Sequence, residues 1–130
     1  MSKEDNVDFI VLGDYDKLKQ VFINLLSNSI KFTNHNGTIW INISSNIKSV
    51  IVQIKDNGIG IKKEDLPFIF ERMYRGDKSR QRIEGSGIGL TIVKKILTLH
   101  SATIDVESKE NKGTTFTVCL NKNSEILTSR

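Results

Sequence analysis

The chain has 130 residues, 38% of them hydrophobic and 26% charged, and a formal net charge of +4, which suits one soluble globular domain with a mild preference for anionic ligands. No apolar run approaches the roughly 20 residues that span a bilayer, no leader peptide opens the chain, and no aromatic residues alternate with basic ones, so we expect no membrane span, secretion signal or nucleic-acid binding. The single cysteine, Cys119, cannot form an internal disulfide, and the two histidines lack the spacing of metal ligands, so a structural zinc site is not expected.

The chain begins with patterns of a strand and then a helix. An apolar run at 7–12 predicts a short strand that ends at Gly13. From about residue 17 to 32 the apolar side chains recur at steps of three and four, which predicts an amphipathic helix over 17–32. Asp14 or Asp16 can cap its first turn, because a side-chain oxygen there accepts a hydrogen bond from a free backbone N–H group.

Two alternating segments follow the helix. Residues 38–44 and 49–56 place apolar side chains at every second position, which predicts two strands. The connection at 46–48 has the length of a hairpin turn, so we expect these strands to pair directly.

The second half of the chain repeats the order of helix and strands. A short helix is predicted around 63–70, and residues 73–87 are polar, basic and without periodicity. Helical spacing returns over 88–99, and two last strands are predicted near 103–108 and 114–120.

These elements predict an α+β fold. We expect a two-layer α/β sandwich with a mixed, mostly antiparallel five-stranded sheet and about three helices on one face. A doubly wound parallel fold is excluded, because no helix separates the strands at 38–44 and 49–56. The chain is expected to be a single domain with its core at about 7–121 and a frayed tail at 122–130.

The long helix carries a polar stripe. Asn24, Asn28 and Lys31 lie within roughly 60° of one another, at the border of the apolar face. An amide oxygen is a neutral ligand that suits Mg²⁺, and a lysine ammonium is a point charge for phosphate. The alternative is a solvated helix face in a sequence rich in asparagine.

Asp56 stands at the end of a predicted strand, before the flexible residues 57–60. A carboxylate at that place can accept a hydrogen bond from a ligand amine, and the glycines allow the backbone to pass close to a planar ring. The alternative is an ordinary Asn-Gly turn.

A glycine-rich segment, GSGIGL at 85–90, opens the last helix. Free N–H groups at a helix start bind phosphate, although this segment follows a polar loop and not a strand, which excludes a Rossmann fingerprint. No phosphate-loop motif occurs either. Basic residues that could close over phosphates precede the glycines: Arg72, Arg75, Lys78, Arg80 and Arg82. The alternatives are a loop that merely starts a helix and a solvated charged loop.

Taken in order, these segments resemble the catalytic ATP-binding domain of bacterial sensor histidine kinases, within the superfamily of gyrase, chaperone, kinase and MutL ATP binders. The resemblance covers about residues 10–120. Five segments of this chain resemble the motifs of that family. NLLSNSIKFT at 24–33 resembles the N box, DNGIGI at 56–61 the G1 box and FERMYR at 70–75 the F box. GSGIGL at 85–90 resembles the G2 box, and GTTF at 113–116 resembles the closing strand motif.

The resemblance implies ATP and Mg²⁺ as ligands. Asn28 is then the metal ligand with Asn24 beside it, Lys31 and Arg75 contact phosphate, and these four residues form the catalytic set. Asp56 accepts the exocyclic amine of adenine, and residues 73–86 form a lid over the nucleotide. The further positions that the resemblance places at the nucleotide are Phe32, Gly58, Gly60, Ile61, Arg72, Tyr74, Lys78, Gly85, Gly87, Ile88, Gly89, Leu90 and Thr114.

The implied reaction is phosphoryl transfer to a histidine. Hydrolases of the superfamily place a glutamate where this chain has Asn24, and an amide cannot act as a general base. Neither His35 nor His100 sits in a helical His-Glu context, so the acceptor is expected on a dimerisation domain outside this chain. The isolated chain should bind ATP and Mg²⁺ as a monomer without phosphorylating itself.

The resemblance also implies the setting. The parent would be a homodimeric, two-component kinase that passes its phosphate to a response regulator, and this domain would be cytoplasmic, with or without a membrane anchor elsewhere in the parent. The alternative is a regulatory nucleotide-binding module of the same superfamily, either an anti-sigma-type serine kinase or an ATP binder without turnover.

Three positions depart from the family pattern. Ser29 stands where the family has alanine, Met73 replaces an aromatic residue, and Ser101-Ala102 occupies a turn where glycines are usual. If that turn needs a positive φ, a residue with a Cβ costs about 1–2 kcal/mol there.

Overall fold

The computed structural model describes residues 8–71 and 90–122, in which a four-stranded sheet carries two α-helices on one face. The elements are α1 (Tyr15–Phe32), β1 (Ile39–Ser45), β2 (Ser49–Asp56), a 3-10 helix (Leu66–Phe68), α2, whose described part is 90–99, β3 (Thr103–Lys109) and β4 (Gly113–Asn121). The α+β prediction is confirmed, and the two hairpins fall where the alternating patterns place them.

The sheet has the order β1-β2-β4-β3, and every neighbouring pair is antiparallel. Ile54 of β2 lies opposite Ile41 on one side and Phe116 on the other, so the inward-facing residues of the three strands form rows. The same register places the last residue of β2 beside the first residues of β4, so the loop after β2 and the β3–β4 turn lie next to each other at one end of the sheet.

The core lies between this sheet and the two helices. It consists of buried apolar side chains from both layers: Val21, Leu25, Val50, Val52, Ile54, Leu90, Val93, Ile96, Leu97, Ile104, Phe116, Val118 and Leu120, with Ile69 from the segment after the 3-10 helix. β2 and β4 are central strands, so their inward residues are fully covered, whereas Ile41 and Ile43 of the edge strand β1 remain about half exposed.

α1 begins at Tyr15, two residues before the predicted start, and its cap is one of the two predicted aspartates. The carboxylate of Asp14 accepts a hydrogen bond from the Lys17 N–H group at 3.1 Å, so Asp14, not Asp16, is the N-cap. The helix ends at Phe32, and the next residue, Thr33, is extended. This places Asn28 and Phe32 in the last two turns, beside the end of β2.

The predicted strand at 7–12 is not formed in its described part, residues 8–12. The Asp8 side chain accepts a hydrogen bond from the Ile10 N–H group at 3.2 Å, and the Ser45 hydroxyl donates to the Asp8 carbonyl, so a local turn contact and one side-chain contact to β1 stand in place of a strand ladder. An apolar run of this length cannot by itself distinguish a strand from an extended segment. The described sheet therefore has four strands where five were predicted.

The second half differs in smaller ways. Only Leu66–Phe68 of the predicted helix at 63–70 is helical, as a single 3-10 turn with Pro67 near its start. The helix predicted over 88–99 is confirmed over 90–99. The predicted lid at 73–86 lies outside the described residues, as does the tail from 123 onward.

His100 joins the end of α2 to the start of α1. Its ring is buried, with Nε2 accepting a hydrogen bond from the Asp14 N–H group at 3.0 Å and Nδ1 lying 2.9 Å from the Ile96 carbonyl. Because a backbone carbonyl can only accept, the ring carries its proton on Nδ1. The histidine is therefore a structural link between the two helices.

Ser101, in the turn after α2, has a φ of +57°, as the departure from glycine at this place suggested. Replacing Ser101 with glycine should stabilise the chain by about 1 kcal/mol, because glycine adopts this conformation without a Cβ penalty. Urea denaturation measures the change. Glycine at the extended, exposed Ser44 should instead destabilise the chain by about 0.5–1 kcal/mol, and a similar loss at both positions would contradict the expected strain at Ser101.

Candidate functional site

A cavity of about 300 Å³ lies between the last turns of α1, the loop after β2, the 3-10 segment and the start of α2. It brings together five of the residues predicted from the sequence: Asn28, Phe32, Gly60, Ile61 and Leu90. These come from three separate segments of the chain, so the fold places the predicted N box, G1 box and the end of the G2 box around one space.

Asn28 is the most informative residue of this cavity. Its side chain is buried, and Oδ1 has no hydrogen-bond partner among the described residues. A buried amide oxygen left unpaired costs about 1–3 kcal/mol, and a ligand that completes it would offset that cost. Asn28 and Asp65 both line this cavity, and amide and carboxylate oxygens are the ligands that a hard divalent cation such as Mg²⁺ prefers.

The other two residues of the predicted polar stripe differ in exposure. Asn24 is half-buried one helical turn before Asn28, and Lys31 is exposed at the end of the helix. Burial is therefore greatest at Asn28, in the middle of the stripe, and Asn28 is the member of the three that lines the cavity.

Asp56 is buried at the end of β2, and one oxygen of its carboxylate accepts a hydrogen bond from the Gly58 N–H group at 2.9 Å. It lines a second cavity of about 490 Å³ together with Ser108 and Thr114. Thr114 is buried and lies directly opposite Asp56 in the register of β2 and β4.

The loop after β2 connects these two places. Its Gly58 bonds to Asp56, and the N–H group of the next residue, Ile59, donates to the Phe32 carbonyl at 3.0 Å. Asp56 and the end of α1 are thus neighbours at one end of the molecule, although Asn28 and Asp56 line separate cavities. The β3–β4 turn borders both cavities, and its Asn111 N–H group donates to the Ile59 carbonyl at 2.6 Å.

Gly60 shows why this loop needs glycine. Its φ is +72°, and a Cβ built there would lie 2.0 Å from the Lys109 carbonyl oxygen. The backbone of this loop therefore contacts the end of β3 directly. Gly60 also lines the first cavity.

The structure also presents residues that the sequence patterns did not select. Asp65 and Ile69 are buried in the wall of the first cavity, with Lys62, Glu110 and Asn111 around it. Ser108 accepts a hydrogen bond from the Ile61 N–H group at 2.7 Å. The sequence could have indicated Ser108, because it lies on the same face of β3 as Ile104 and Val106 and is therefore a polar residue on the inward face.

Several predicted site residues lie outside the described part of the chain, and their placement stays a prediction. They are Arg72, Tyr74, Arg75, Lys78, Gly85, Gly87, Ile88 and Gly89. Leu90, the first described residue of α2, is buried in the wall of the first cavity, directly after the glycine-rich segment.

Comparison with known proteins gives one family and close relatives. Residues 13–124 match the family of histidine kinase-, DNA gyrase B- and HSP90-like ATPases. The sensor histidine kinase YclK of Bacillus subtilis is 43% identical over 119 residues, covering 90% of this chain and 24% of that protein. The sensor histidine kinase WalK of the same organism is 39% identical, covering 92% of this chain and 22% of that protein. The chain thus spans less than a quarter of the length of these relatives.

Solved structures agree with this assignment. A nucleotide-free catalytic domain of histidine kinase ThkA superposes with a TM-score of 0.74 at 33% identity, covering 88% of this chain and 74% of that chain. A mycobacterial sensor histidine kinase, MprB, superposes with a TM-score of 0.73 at 27% identity, covering 88% of this chain and 78% of that chain.

Neither helix, as far as the chain is described, has the length and hydropathy for crossing a bilayer.

Proposed function

The chain belongs to the family of histidine kinase-, DNA gyrase B- and HSP90-like ATPases, and we propose that it is the catalytic, ATP-binding domain of a sensor histidine kinase. The observation that carries the proposal is the buried Oδ1 atom of Asn28, a residue of the cavity wall, which has no hydrogen-bond partner among the described residues. The two relatives named above, both sensor histidine kinases, support the same assignment.

Asn28 would hold Mg²⁺ through Oδ1, with the amide of Asn24 one turn below it. When bound, the ion would neutralise phosphate oxygens and so favour transfer of the terminal phosphoryl group. Lys31, exposed at the end of α1, would contribute a further positive charge for phosphate, and Arg75 would do the same from outside the described residues.

Asp56 would act at the other end of the nucleotide. Its carboxylate is held in place by the Gly58 N–H group, so its acceptor direction is fixed before any ligand binds. An ionised carboxylate only accepts hydrogen bonds, which suits the exocyclic amine of adenine and opposes the keto oxygen of guanine.

The residues of the site favour phosphoryl transfer over hydrolysis. Asn24 lies one turn before Asn28, where an amide cannot take a proton from water. The chain's own contribution is therefore binding, orientation and charge, which is how phosphoryl transfer is mostly catalysed.

The phosphoacceptor histidine would lie on a dimerisation domain of the parent protein. His100 is buried with both ring nitrogens engaged, and His35 lies in an exposed turn 7 residues after Asn28 in a non-helical segment, so neither fits the role. We further propose a homodimeric parent, a downstream response regulator and a cytoplasmic location for this domain, which by itself would be monomeric.

Mixing the chain with a separately produced dimerisation domain of its parent, Mg²⁺ and γ-labelled ATP should give label on the acceptor histidine. The bond should be acid-labile and base-stable, and an acceptor domain with that histidine replaced by glutamine is the control. The chain alone should remain unlabelled. Binding of ATP in calorimetry with no phosphohistidine in the mixture would instead favour a regulatory nucleotide-binding module, and label on serine would favour an anti-sigma-type kinase.

A further inference from the structure

Three polar side chains form a row across one end of the otherwise apolar inner face of the sheet. Asp56 of β2 lies opposite Thr114 of β4, and Thr114 lies opposite Ser108 of β3. Each lies on the same face of its strand as buried apolar residues, so the three mark the end of the apolar core, next to the loop after β2. We call these three residues the polar row.

The Ser108 hydroxyl is the most connected member of the polar row. It accepts a hydrogen bond from the Ile61 N–H group at 2.7 Å, and it donates to the Gly113 carbonyl at 3.0 Å. It also lies 2.8 Å from the Thr114 hydroxyl, where either oxygen could be the donor.

The two backbone contacts limit the third. The Ile61 N–H group can only donate and so occupies one lone pair of Ser108, while the Gly113 carbonyl and the Thr114 oxygen compete for the single Ser108 proton. When that proton is on Gly113, the remaining lone pair of Ser108 accepts the proton of Thr114. Thr114 is left with lone pairs alone and acts as an acceptor toward its other neighbours.

This direction creates an acceptor pair. The Thr114 lone pairs and the Asp56 carboxylate stand on directly opposite residues, whose Cβ atoms are typically about 4.5–5.5 Å apart. In the described structure no hydrogen bond joins Asp56 and Thr114. Two neighbouring acceptors are completed by a group that carries two protons, such as a primary amine or a bridging water.

We propose that Ser108 is a positioning residue for purine selection: it holds Thr114 as an acceptor, so that Thr114 and Asp56 together favour a 6-amino purine over a 6-oxo purine. The inference rests on the proposed function, which places adenine at Asp56. Without the Ser108 hydroxyl, Thr114 can rotate its proton outward and donate to a keto oxygen, and discrimination at the 6-position falls.

The test compares ATP with inosine triphosphate, which differs from ATP in a 6-oxo group and an N1 proton, by calorimetry on the full chain with Mg²⁺. Ser108→Ala should lower the ratio of ATP affinity to inosine triphosphate affinity by about tenfold, partly through tighter binding of inosine triphosphate. Ser108→Thr, which keeps the hydroxyl, should restore the ratio. Ser44→Ala, on the exposed edge strand, is the matched control and should leave it unchanged.

Thr114→Val separates positioning from mere packing. It removes the acceptor without supplying a donor, so ATP affinity should fall while inosine triphosphate affinity does not rise. Should Ser108→Ala fail to fold, Ser108→Cys supplies the same comparison, because a thiol of similar size is only a weak hydrogen-bonding group.

The outcomes distinguish this inference from the proposed function. A native chain that binds neither nucleotide overturns the proposed function and the inference with it. A native chain that prefers ATP, together with a Ser108→Ala chain that keeps the full preference or loses both affinities equally, overturns the inference alone.

Discussion

Replacing Asn28 with leucine should abolish the magnesium-dependent part of ATP binding and leave the chain at least as stable as before. The amide oxygen of Asn28 is buried without a partner among the described residues, so removing it relieves an unpaired polar group. The side chain borders a cavity of about 300 Å³, which leaves room for the larger leucine. Loss of a metal ligand should weaken ATP binding in Mg²⁺ by roughly 100-fold.

Calorimetry with and without Mg²⁺ measures the affinity, and urea denaturation measures the stability. Ser29→Ala is the matched control, because Ser29 is the next residue of α1, is fully buried, and has an Oγ atom without a described partner. It does not line the cavity, so its replacement should stabilise the chain by about 1 kcal/mol and leave ATP binding unchanged. Magnesium-dependent binding that survives in the leucine variant would remove Asn28 from the metal site.

Replacing Gly113 with alanine should destabilise the chain by about 2–5 kcal/mol. Its φ is +114°, which costs an L residue about 1–2 kcal/mol, and a new Cβ would lie 2.0 Å from the Asp56 carbonyl oxygen. That oxygen belongs to the central strand β2, so it cannot move without disturbing the pairing of β2 with β4. Overlap of this kind adds about 1–3 kcal/mol.

Urea denaturation of the variant measures this loss. Gly37→Ala is the comparison, because its two nearest contacts are side-chain atoms of Thr33 and Asn57, and its φ is not positive. Side chains can turn aside where a strand carbonyl cannot, so Gly37→Ala should cost less than half as much. Equal losses at the two positions would show that backbone overlap is not what makes Gly113 necessary.

The local elements of this fold could be predicted from the sequence because each has its own periodicity. Steps of three and four residues mark α1, and alternation marks β2 and β4, whose inward residues are covered along their whole length. The segment at 8–12 was wrongly predicted as a strand, because apolar content alone does not reveal that Asp8 bonds to Ile10 and to Ser45.

The candidate site could be predicted only in part. Asn28 and Asp56 were selected as residue types with suitable chemistry, yet the patterns gave both asparagines of α1 similar weight. Packing separates them, because α1 turns Asn28 into the cavity wall and leaves Asn24 half-buried. The role of Ser108 depends on Ile61 and Gly113, which belong to segments far away in sequence or across a strand turn.

The sequence by itself determined the order of helices and strands, the hairpin pairing and the box motifs, since these depend on the spacing of residues within one segment. Only the tertiary structure decided which polar groups are buried, which atoms lack partners and which residues contact the hydroxyl of Ser108. Those properties arise from contacts between α1, the loop after β2 and the β3–β4 turn. The spacing of residues within one segment does not indicate which other segment will pack against it.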